Sequence, residues 1–179
     1  MTTDGAASGE LLILGVGNLI VGDDGVGVHA VRHLLADRSA VARLPSGVQV
    51  VDGGTLGIAL LPLLERADAL VLVDAMELEE DAGTVRVLRG DEIRAHLAQH
   101  LSVHQAGVAD LLAVSSLVGL APHQVRLVGV QPGPHRIGTE LSPAVAAALP
   151  LALRGIEDAI WEMVIGSVSR VGAGGPGGS

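Results

Sequence analysis

Residues 11–27 read LLILGVGNLIVGDDGVG, an apolar run that ends at two glycines and leads into a segment with two adjacent acids. A short apolar run closed by Gly and Asn predicts a buried strand over Leu11–Gly17. The following segment, Asp23–Asp37, has apolar residues at helical spacing, and Asp23 and Asp24 lie at its start, where the helix dipole favours negative charge. A buried strand that leads directly into a helix is typical of an α/β sheet.

The rest of the chain continues this alternation of strands and helices. Further strands are predicted over Val48–Val51, Ala69–Val73, Val125–Val130 and Thr84–Leu88, the last as an edge or antiparallel strand. Helices are predicted over Leu56–Glu65, Asp91–His100, Gln105–Leu117 and Ser142–Ile165, with Ser142 as the N-cap and Pro143 in the first turn. Helices on both faces give a three-layer α/β sandwich, with a mostly parallel, twisted sheet of about five strands. Right-handed crossovers predict a strand order that begins 2-1-3.

Length and patterning predict one folded domain. The chain has 179 residues, which is within the size of a single domain with one core. We predict a flexible N-terminal segment over 1–10, a single α/β domain over 11–165 and a Gly-rich flexible tail over 166–179.

No secretory signal is readable at the start, and no uninterrupted apolar stretch reaches the roughly 18 residues of a membrane span. We therefore predict a cytoplasmic location, and we predict separately that the protein is a monomer.

Composition excludes several classes of function. Hydrophobic residues make up 49% of the chain and charged residues 17%, which excludes an intrinsically disordered protein. The formal net charge of −9 argues against binding to nucleic acid or to an anionic membrane, because both select Lys and Arg. The chain has no Cys, which excludes disulfides, cysteine metal ligands and a thiol nucleophile.

Three polar residues converge in the predicted topology. Asp24 follows the first strand, Asp74 ends the third strand beside it, and His104 lies in a loop just before a helix. Ligands of such sheets bind at the carboxyl ends of the strands, where the chain reverses direction. Two carboxylates and one imidazole suit a divalent ion such as zinc, nickel, iron or manganese. A helix-capping Asp and a solvated loop His are the ordinary structural alternatives.

The glycines of the first segment allow a second interpretation. Gly15 and Gly17 follow a strand as in a dinucleotide-binding fingerprint, and Asp52 at the end of the second strand resembles the acid that binds ribose. Ile20 stands where that fingerprint needs its third glycine, so the match is incomplete. A tight strand-to-helix turn that needs glycine for its backbone geometry, with Asp52 in a turn of its own, is the alternative.

Several blocks of the sequence, taken in order, resemble one known family. The blocks are Leu14–Asn18 leading into Asp23–Gly27, then Asp52–Thr55, Val73–Ala75 and Ser102–Gln105, with Val128–Pro132 extending the match. A sequence with these blocks is similar to the nickel-iron hydrogenase maturation proteases, which trim the C-terminal extension from the precursor of the hydrogenase large subunit. The resemblance covers roughly residues 11–163, nearly the whole of the predicted domain.

The resemblance implies a site and a mechanism. It implies that Asp24, Asp74 and His104 are the metal-binding and catalytic residues, and that no cofactor is permanently bound. Relatives often have Glu at the first position. Asp24 is one methylene shorter and reaches less far toward a shared ion, so Asp23 is an alternative first ligand. The resemblance further implies an endopeptidase that recognises nickel already inserted in the precursor, and that this nickel licenses cleavage. Whether an Asp also acts as the general base is left open by the sequence.

Three other classes of function are left open. A Rossmann-like nucleotide-binding protein would account for Gly15, Gly17 and Asp52. A non-catalytic metal-binding escort would account for the three site residues without peptide cleavage. A peptidyl-tRNA hydrolase-like enzyme would share the α/β architecture, but the acidic net charge argues against it.

Overall fold

A computed structural model of the chain describes residues 10–99 and 103–172, and it describes side chains over 10–99 and 107–165. The strands are β1 (Glu10–Val16), β2 (Val48–Gly54), β3 (Ala67–Ala75), β4 (Val85–Arg89) and β5 (Gln124–Val130). The helices are α1 (Val26–Ala36), α2 (Arg38–Arg43), α3 (Leu61–Leu64), α4 (Asp91–Gln99), α5 (Val103–Leu117) and α6 (Pro143–Gly172). Short 3-10 turns cover Gly22–Gly25 and Gly57–Leu60. Of the flexible ends predicted over 1–10 and 166–179, residues 1–9 and 173–179 lie outside the described residues.

The strands form one sheet in the order β2-β1-β3-β5-β4. β1 pairs in parallel with β2 and β3, and β3 pairs in parallel with β5. β4 lies at one edge in antiparallel pairing with β5. The order that begins 2-1-3 and the antiparallel edge strand are therefore confirmed. Because β1 and β3 are neighbours, the loops that follow them leave the same edge of the sheet side by side.

The core is divided between the two faces of the sheet. Successive residues of β1 point to opposite faces, so Ile13 packs in one apolar cluster and Leu14 packs in the other. α1 and α6 cover the first face, where Val31 and Ile156 are fully buried. α3, α4 and α5 cover the second face, where Leu111 of α5 is buried. The predicted three-layer sandwich is therefore confirmed.

Glycines let α1 lie directly on the backbone of the sheet. A Cβ atom at Gly27 of α1 would come within 2.0 Å of the Val73 carbonyl oxygen and 2.4 Å of the Val16 carbonyl oxygen. A Cβ atom at Gly15 of β1 would come within 2.3 Å of the Gly27 carbonyl oxygen. A larger residue at either position would push the helix away from the sheet, because protein interiors are close-packed. These two glycines therefore set how closely β1, β3 and α1 pack.

The helix predicted over Asp23–Asp37 is divided in the structure. Its first residues form a 3-10 turn, and α1 begins only at Val26. Asp37 follows α1 and caps α2, because its Oδ1 accepts hydrogen bonds from the N–H groups of Ser39 (2.9 Å) and Ala40 (3.1 Å). α2 has no counterpart among the predicted elements, since so short a helix carries too few residues to show a period.

Two other boundaries differ from the prediction. β3 continues to Ala75, so that Asp74 is its penultimate residue. α6 continues to Gly172, past the predicted helix end at Ile165, so part of the segment predicted as a flexible tail is helical. Gly166 is the only glycine between those two positions, and a single glycine costs a helix about 1 kcal/mol without ending it. No helix in the described ranges, α6 included, is long and apolar enough to cross a membrane.

Candidate active site

Asp24 is positioned by the turn between β1 and α1. Gly17 has a φ of +132°, and a Cβ atom there would come within 1.9 Å of the Asp24 carbonyl oxygen. The N–H of Asn18 donates a hydrogen bond of 2.9 Å to Oδ2 of Asp24. Glycine at position 17 therefore lets the 3-10 turn fold back over the end of β1. This brings the buried Asp24 side chain to the carboxyl edge of the sheet.

Asp74 lies near Asp24 at this edge and is also buried. Burial raises the pKa of Asp74 well above its ordinary value of 3.8, and the carboxylate of Asp24 raises it further. The backbone N–H of Ala75 lowers the same pKa by donating a hydrogen bond to the carboxylate. The structure therefore brings together two of the three predicted site residues, as a pair of acids shielded from water.

His104 lies in the first turn of α5, and its side chain is outside the described residues. The helix begins at Val103, earlier than predicted, so His104 is in a helix and not in a loop. Ser102 of the same sequence block also lies outside the described residues. α5 itself reaches the site, because Gly107, three positions after His104, lines a cleft together with Asp74.

A small cleft opens at the carboxyl ends of β1 and β2. Its volume is about 130 Å³, and its lining includes Val16, Gly17, Thr55, Asp74, Gly107 and Leu111. Asp74 is the one charged residue among the lining residues whose side chains are described. Pockets for drug-sized ligands measure about 300–1,000 Å³. This cleft therefore suits a side chain or a few atoms of a peptide better than it suits a dinucleotide.

Asp23, the alternative first ligand, has a structural role. Its Oδ1 accepts a hydrogen bond from the N–H of Ser142 (2.6 Å), and its Oδ2 accepts one from the N–H of Gly133 (2.9 Å). Both oxygens of this buried carboxylate are thus engaged by the loop that connects β5 to α6. The two adjacent acids have different surroundings: Asp23 fastens that loop, and Asp24 lies near Asp74.

The acids provide part of a metal-binding site. Among the residues whose side chains are described, no group of three His, Asp or Glu side chains could hold a metal ion. Asp24 and Asp74 supply two carboxylates, and a cation beside them would relieve the repulsion between their charges. A third donor has to come from outside the described side chains or from a bound partner.

The structure favours the turn interpretation of the glycines over nucleotide binding. Cβ atoms at Gly15 and Gly17 would overlap this chain's own backbone, so these glycines serve internal packing and not the approach of a pyrophosphate. Asp52 is held in a turn, because its Oδ1 accepts the N–H of Gly54 (3.1 Å) and its Oδ2 pairs with Nε of Arg32 (2.7 Å). Two acids precede α1, where a dinucleotide phosphate would need positive potential.

Gln131 is buried, and it lies in a sequence block that resembles the family, although no role was predicted for it. Its Oε1 accepts a hydrogen bond from the N–H of Leu78 (2.6 Å), and its Nε2 donates one to Oε1 of Glu77 (2.9 Å). Gln131 therefore fixes the loop that follows β3, at positions three and four residues after Asp74. Its place in the Val128–Pro132 block was the available signal, but that block does not indicate which distant loop the side chain binds.

Comparison with known proteins places the chain in a family. The family model of hydrogenase maturation proteases matches residues 28–159. The hydrogenase expression/formation protein HupM of Azotobacter chroococcum mcd 1 is 40% identical over 161 residues, which cover 84% of this chain and 75% of HupM. The hydrogenase 2 maturation protease of Escherichia coli strain K12 is 34% identical over 162 residues, which cover 90% of this chain and 96% of that protease.

Solved structures of relatives share the fold. The hydrogenase maturating endopeptidase HybD from E. coli is similar with a TM-score of 0.77 and 34% identity, over 86% of this chain and 93% of HybD. The NiFe hydrogenase maturation protease HybD from Thermococcus kodakarensis is similar with a TM-score of 0.69 and 27% identity, over 83% of this chain and 97% of that protein. The matched length, the identity and the shared fold together show that this chain belongs to the hydrogenase maturation protease family and is an endopeptidase.

Proposed function

We propose that this endopeptidase removes the C-terminal extension from the precursor of a nickel-iron hydrogenase large subunit after nickel insertion, and that it recognises the nickel in the precursor. The observation that carries the proposal is the buried pair of Asp24 and Asp74 beside a cleft at the carboxyl edge of the sheet. The names of two relatives, a hydrogenase 2 maturation protease and a hydrogenase maturating endopeptidase, support this class of substrate.

Asp24, Asp74 and His104 are the residues proposed to approach the nickel of the precursor. Burial and the neighbouring carboxylate disfavour the charged form of Asp74 in the free enzyme, so the site favours the arrival of a positive charge. An imidazole at His104 adds a nitrogen donor of the kind that nickel accepts. Nickel bound in the substrate supplies Lewis-acid polarisation of a carbonyl or a water. The cleft beside Asp74 gives the substrate backbone room to reach these groups.

The nickel is proposed to arrive with the substrate and not as a resident cofactor. The chain has no Cys, and two carboxylates with one imidazole leave the coordination shell of a divalent ion open. Ligands from the precursor would complete that shell, so nickel-loaded precursor should bind better than either component alone. We expect elemental analysis of the purified chain to find well under one tightly bound metal ion per molecule. A full equivalent that survives a chelator wash would contradict this part of the proposal.

Three single substitutions test the proposed site. Asp24→Asn, Asp74→Asn and His104→Ala should each abolish the shortening of nickel-loaded precursor, followed by gel electrophoresis, while the variants stay folded by circular dichroism. Asp68→Asn is a matched control for Asp74→Asn, because Asp68 is an exposed acid at the opposite end of the same strand. The control should shorten the precursor like the wild type. Unimpaired cleavage of the precursor by the Asp74→Asn variant would contradict the proposal.

Family membership bears on one of the alternative functions left open by the sequence, the non-catalytic metal-binding escort. Membership in a family of proteases replaces the non-catalytic escort as the interpretation of the three site residues. The assay gives an independent check, since an escort would bind nickel-loaded precursor and leave its length unchanged. The cytoplasmic location and the monomeric state stay predictions from the sequence, and size-exclusion chromatography checks the second.

A further inference from the structure

Four exposed aliphatic side chains border the carboxyl edge of the sheet. Ile20 is 63% exposed and Ile137 is 96% exposed, while Leu56 and Ile58 are 60% and 52% exposed. We call these four residues the apolar rim. They lie on the loops that follow β1, β5 and β2, so they border the edge that carries the candidate active site.

The loops that carry Ile20 and Ile137 are fixed to each other. The N–H of Gly138 donates a hydrogen bond to the carbonyl of Ile20 (3.0 Å), and the N–H of Gly22 donates one to the carbonyl of Gly138 (2.8 Å). Asp23 holds the same β5–α6 loop through two more backbone hydrogen bonds. Both isoleucines are therefore held next to the turn that positions the candidate site.

Leu56 and Ile58 belong to the loop after β2, on the other flank of the cleft. The N–H of Gly17 donates a hydrogen bond of 3.0 Å to the carbonyl of Gly54, which ties the start of this loop to the end of β1. Gly57, between the two exposed residues, lines the cleft itself. The part of the apolar rim that follows β2 therefore reaches the cleft, and its loop is tied to the end of β1.

We propose that the apolar rim binds an extended, apolar segment of the precursor close to the scissile bond; this inference rests on the proposed function. Large apolar side chains left in water contribute little to the stability of this chain, whereas their burial against a partner would favour binding. Within the described part of the chain, the N–H and C=O groups of Ile137 make no hydrogen bond. They are available for backbone pairing with an extended segment, as in β-strand addition.

The position of the rim identifies its occupant. A substrate segment must reach Asp24 and Asp74 to be cleaved, so the residues on either side of its scissile bond pass over the loops that carry the rim. A second copy of this chain seated there would cover the cleft and block the site. Aliphatic side chains also select against a charged segment, because burying an unpaired charge against them is unfavourable. The rim therefore fits an apolar stretch of the substrate.

Steady-state kinetics on nickel-loaded precursor test the rim. Ile20→Ser and Ile137→Ser should each raise KM about tenfold and leave kcat close to the wild-type value, because the lost contact contributes to binding. Leu117→Ser is the matched control, since Leu117 is 85% exposed but ends α5 shortly before β5 begins, at the opposite edge of the sheet. The control should leave KM unchanged. All three variants should keep the wild-type thermal midpoint, because the replaced side chains are exposed.

A binding measurement separates the rim from the cleavage chemistry. In a chain that carries Asp74→Asn, which is expected to be inactive, adding Ile137→Ser should raise the Kd for nickel-loaded precursor about tenfold. Adding Leu117→Ser to the same chain should leave the Kd unchanged. Equal affinity of the two double variants would overturn the proposal for the rim.

The outcomes distinguish failure of the rim from failure of the proposed function. If the wild type shortens the precursor, Asp74→Asn does not, and Ile137→Ser behaves like Leu117→Ser, the rim proposal is wrong and the function stands. If the wild type leaves nickel-loaded precursor intact, the proposed function fails, and the inference that rests on it fails too. If the wild type is a dimer that Ile137→Ser converts to a monomer, the rim is a self-association surface and the proposal is overturned.

Discussion

Replacement of Asp23 by Ala is expected to destabilise the folded chain by about 3 kcal/mol. The buried carboxylate accepts two backbone hydrogen bonds, from Ser142 (2.6 Å) and from Gly133 (2.9 Å). A hydrogen bond to a charged group contributes about 1.5–3 kcal/mol. Both bonds are only partly buried, so water replaces some of the lost interaction and the expected loss lies near the lower limit for two bonds.

Urea unfolding followed by circular dichroism measures this loss. A destabilisation of that size should lower the thermal midpoint by about 6–12 °C for a domain of this length. Asp23→Asn keeps one acceptor oxygen and should lose about half as much. Asp68→Ala removes an exposed acid and should stay within about 0.5 kcal/mol of the wild type. If Asp23→Ala costs less than about 1 kcal/mol with an unchanged denaturant slope, other contacts hold the β5–α6 loop and the reasoning is refuted.

The same substitutions decide between the two adjacent acids. Because Asp23 is engaged by the β5–α6 loop, Asp23→Asn should still shorten nickel-loaded precursor at a temperature where the variant is folded. Asp24→Asn should not, since Asp24 lies near Asp74. A larger loss of cleavage at Asp23 than at Asp24 would move the site by one residue.

Packing, burial and glycine geometry lead to three other expected outcomes. Gly27→Ala should lower the free energy of unfolding, measured with urea, by about 1–3 kcal/mol or more, because its Cβ atom would overlap the Val73 carbonyl. A wild-type free energy of unfolding would refute that close approach. Asp74→Asn should raise the thermal midpoint at neutral pH. The folded-state pKa of Asp74 is raised above its unfolded value, so its contribution to stability is full below the unfolded pKa and is lost as the pH rises through the folded pKa. The difference between the variants should shrink as the pH falls toward 3.8, and a more stable wild type at neutral pH would contradict the sign. Calorimetry should detect no binding of NAD or ATP, and a micromolar Kd for either would restore the nucleotide interpretation.

The fold was predictable from the sequence because its main signals are local. β1 and β3 are apolar runs buried on both faces, and the strand order follows from right-handed crossovers. The alternation around Val85–Arg89 correctly indicated an edge strand. The predicted end of α6 at Ile165 is wrong, because a glycine-rich composition after Ile165 does not show where a helix ends, and α6 tolerates Gly166.

The candidate site was predictable only in part. The pairing of Asp24 with Asp74 follows from the neighbouring positions of β1 and β3 in the sheet. The different surroundings of Asp23 and Asp24 depend on the path of a single 3-10 turn, which two identical adjacent residues do not reveal. The role of Gln131 depends on a loop 53 positions away in sequence, at Leu78, and no local pattern indicates that contact.

The central claim is that nickel in the substrate licenses cleavage at the site of Asp24, Asp74 and His104. The most direct test compares nickel-loaded with nickel-free precursor, each incubated with chelator-washed enzyme and followed by gel electrophoresis. Asp74→Asn serves as the inactive control. We predict that the washed wild type shortens the loaded precursor and leaves the nickel-free precursor uncut, while the variant cuts neither. Equally efficient cleavage of nickel-free precursor would contradict the mechanism, even if all three residues proved essential.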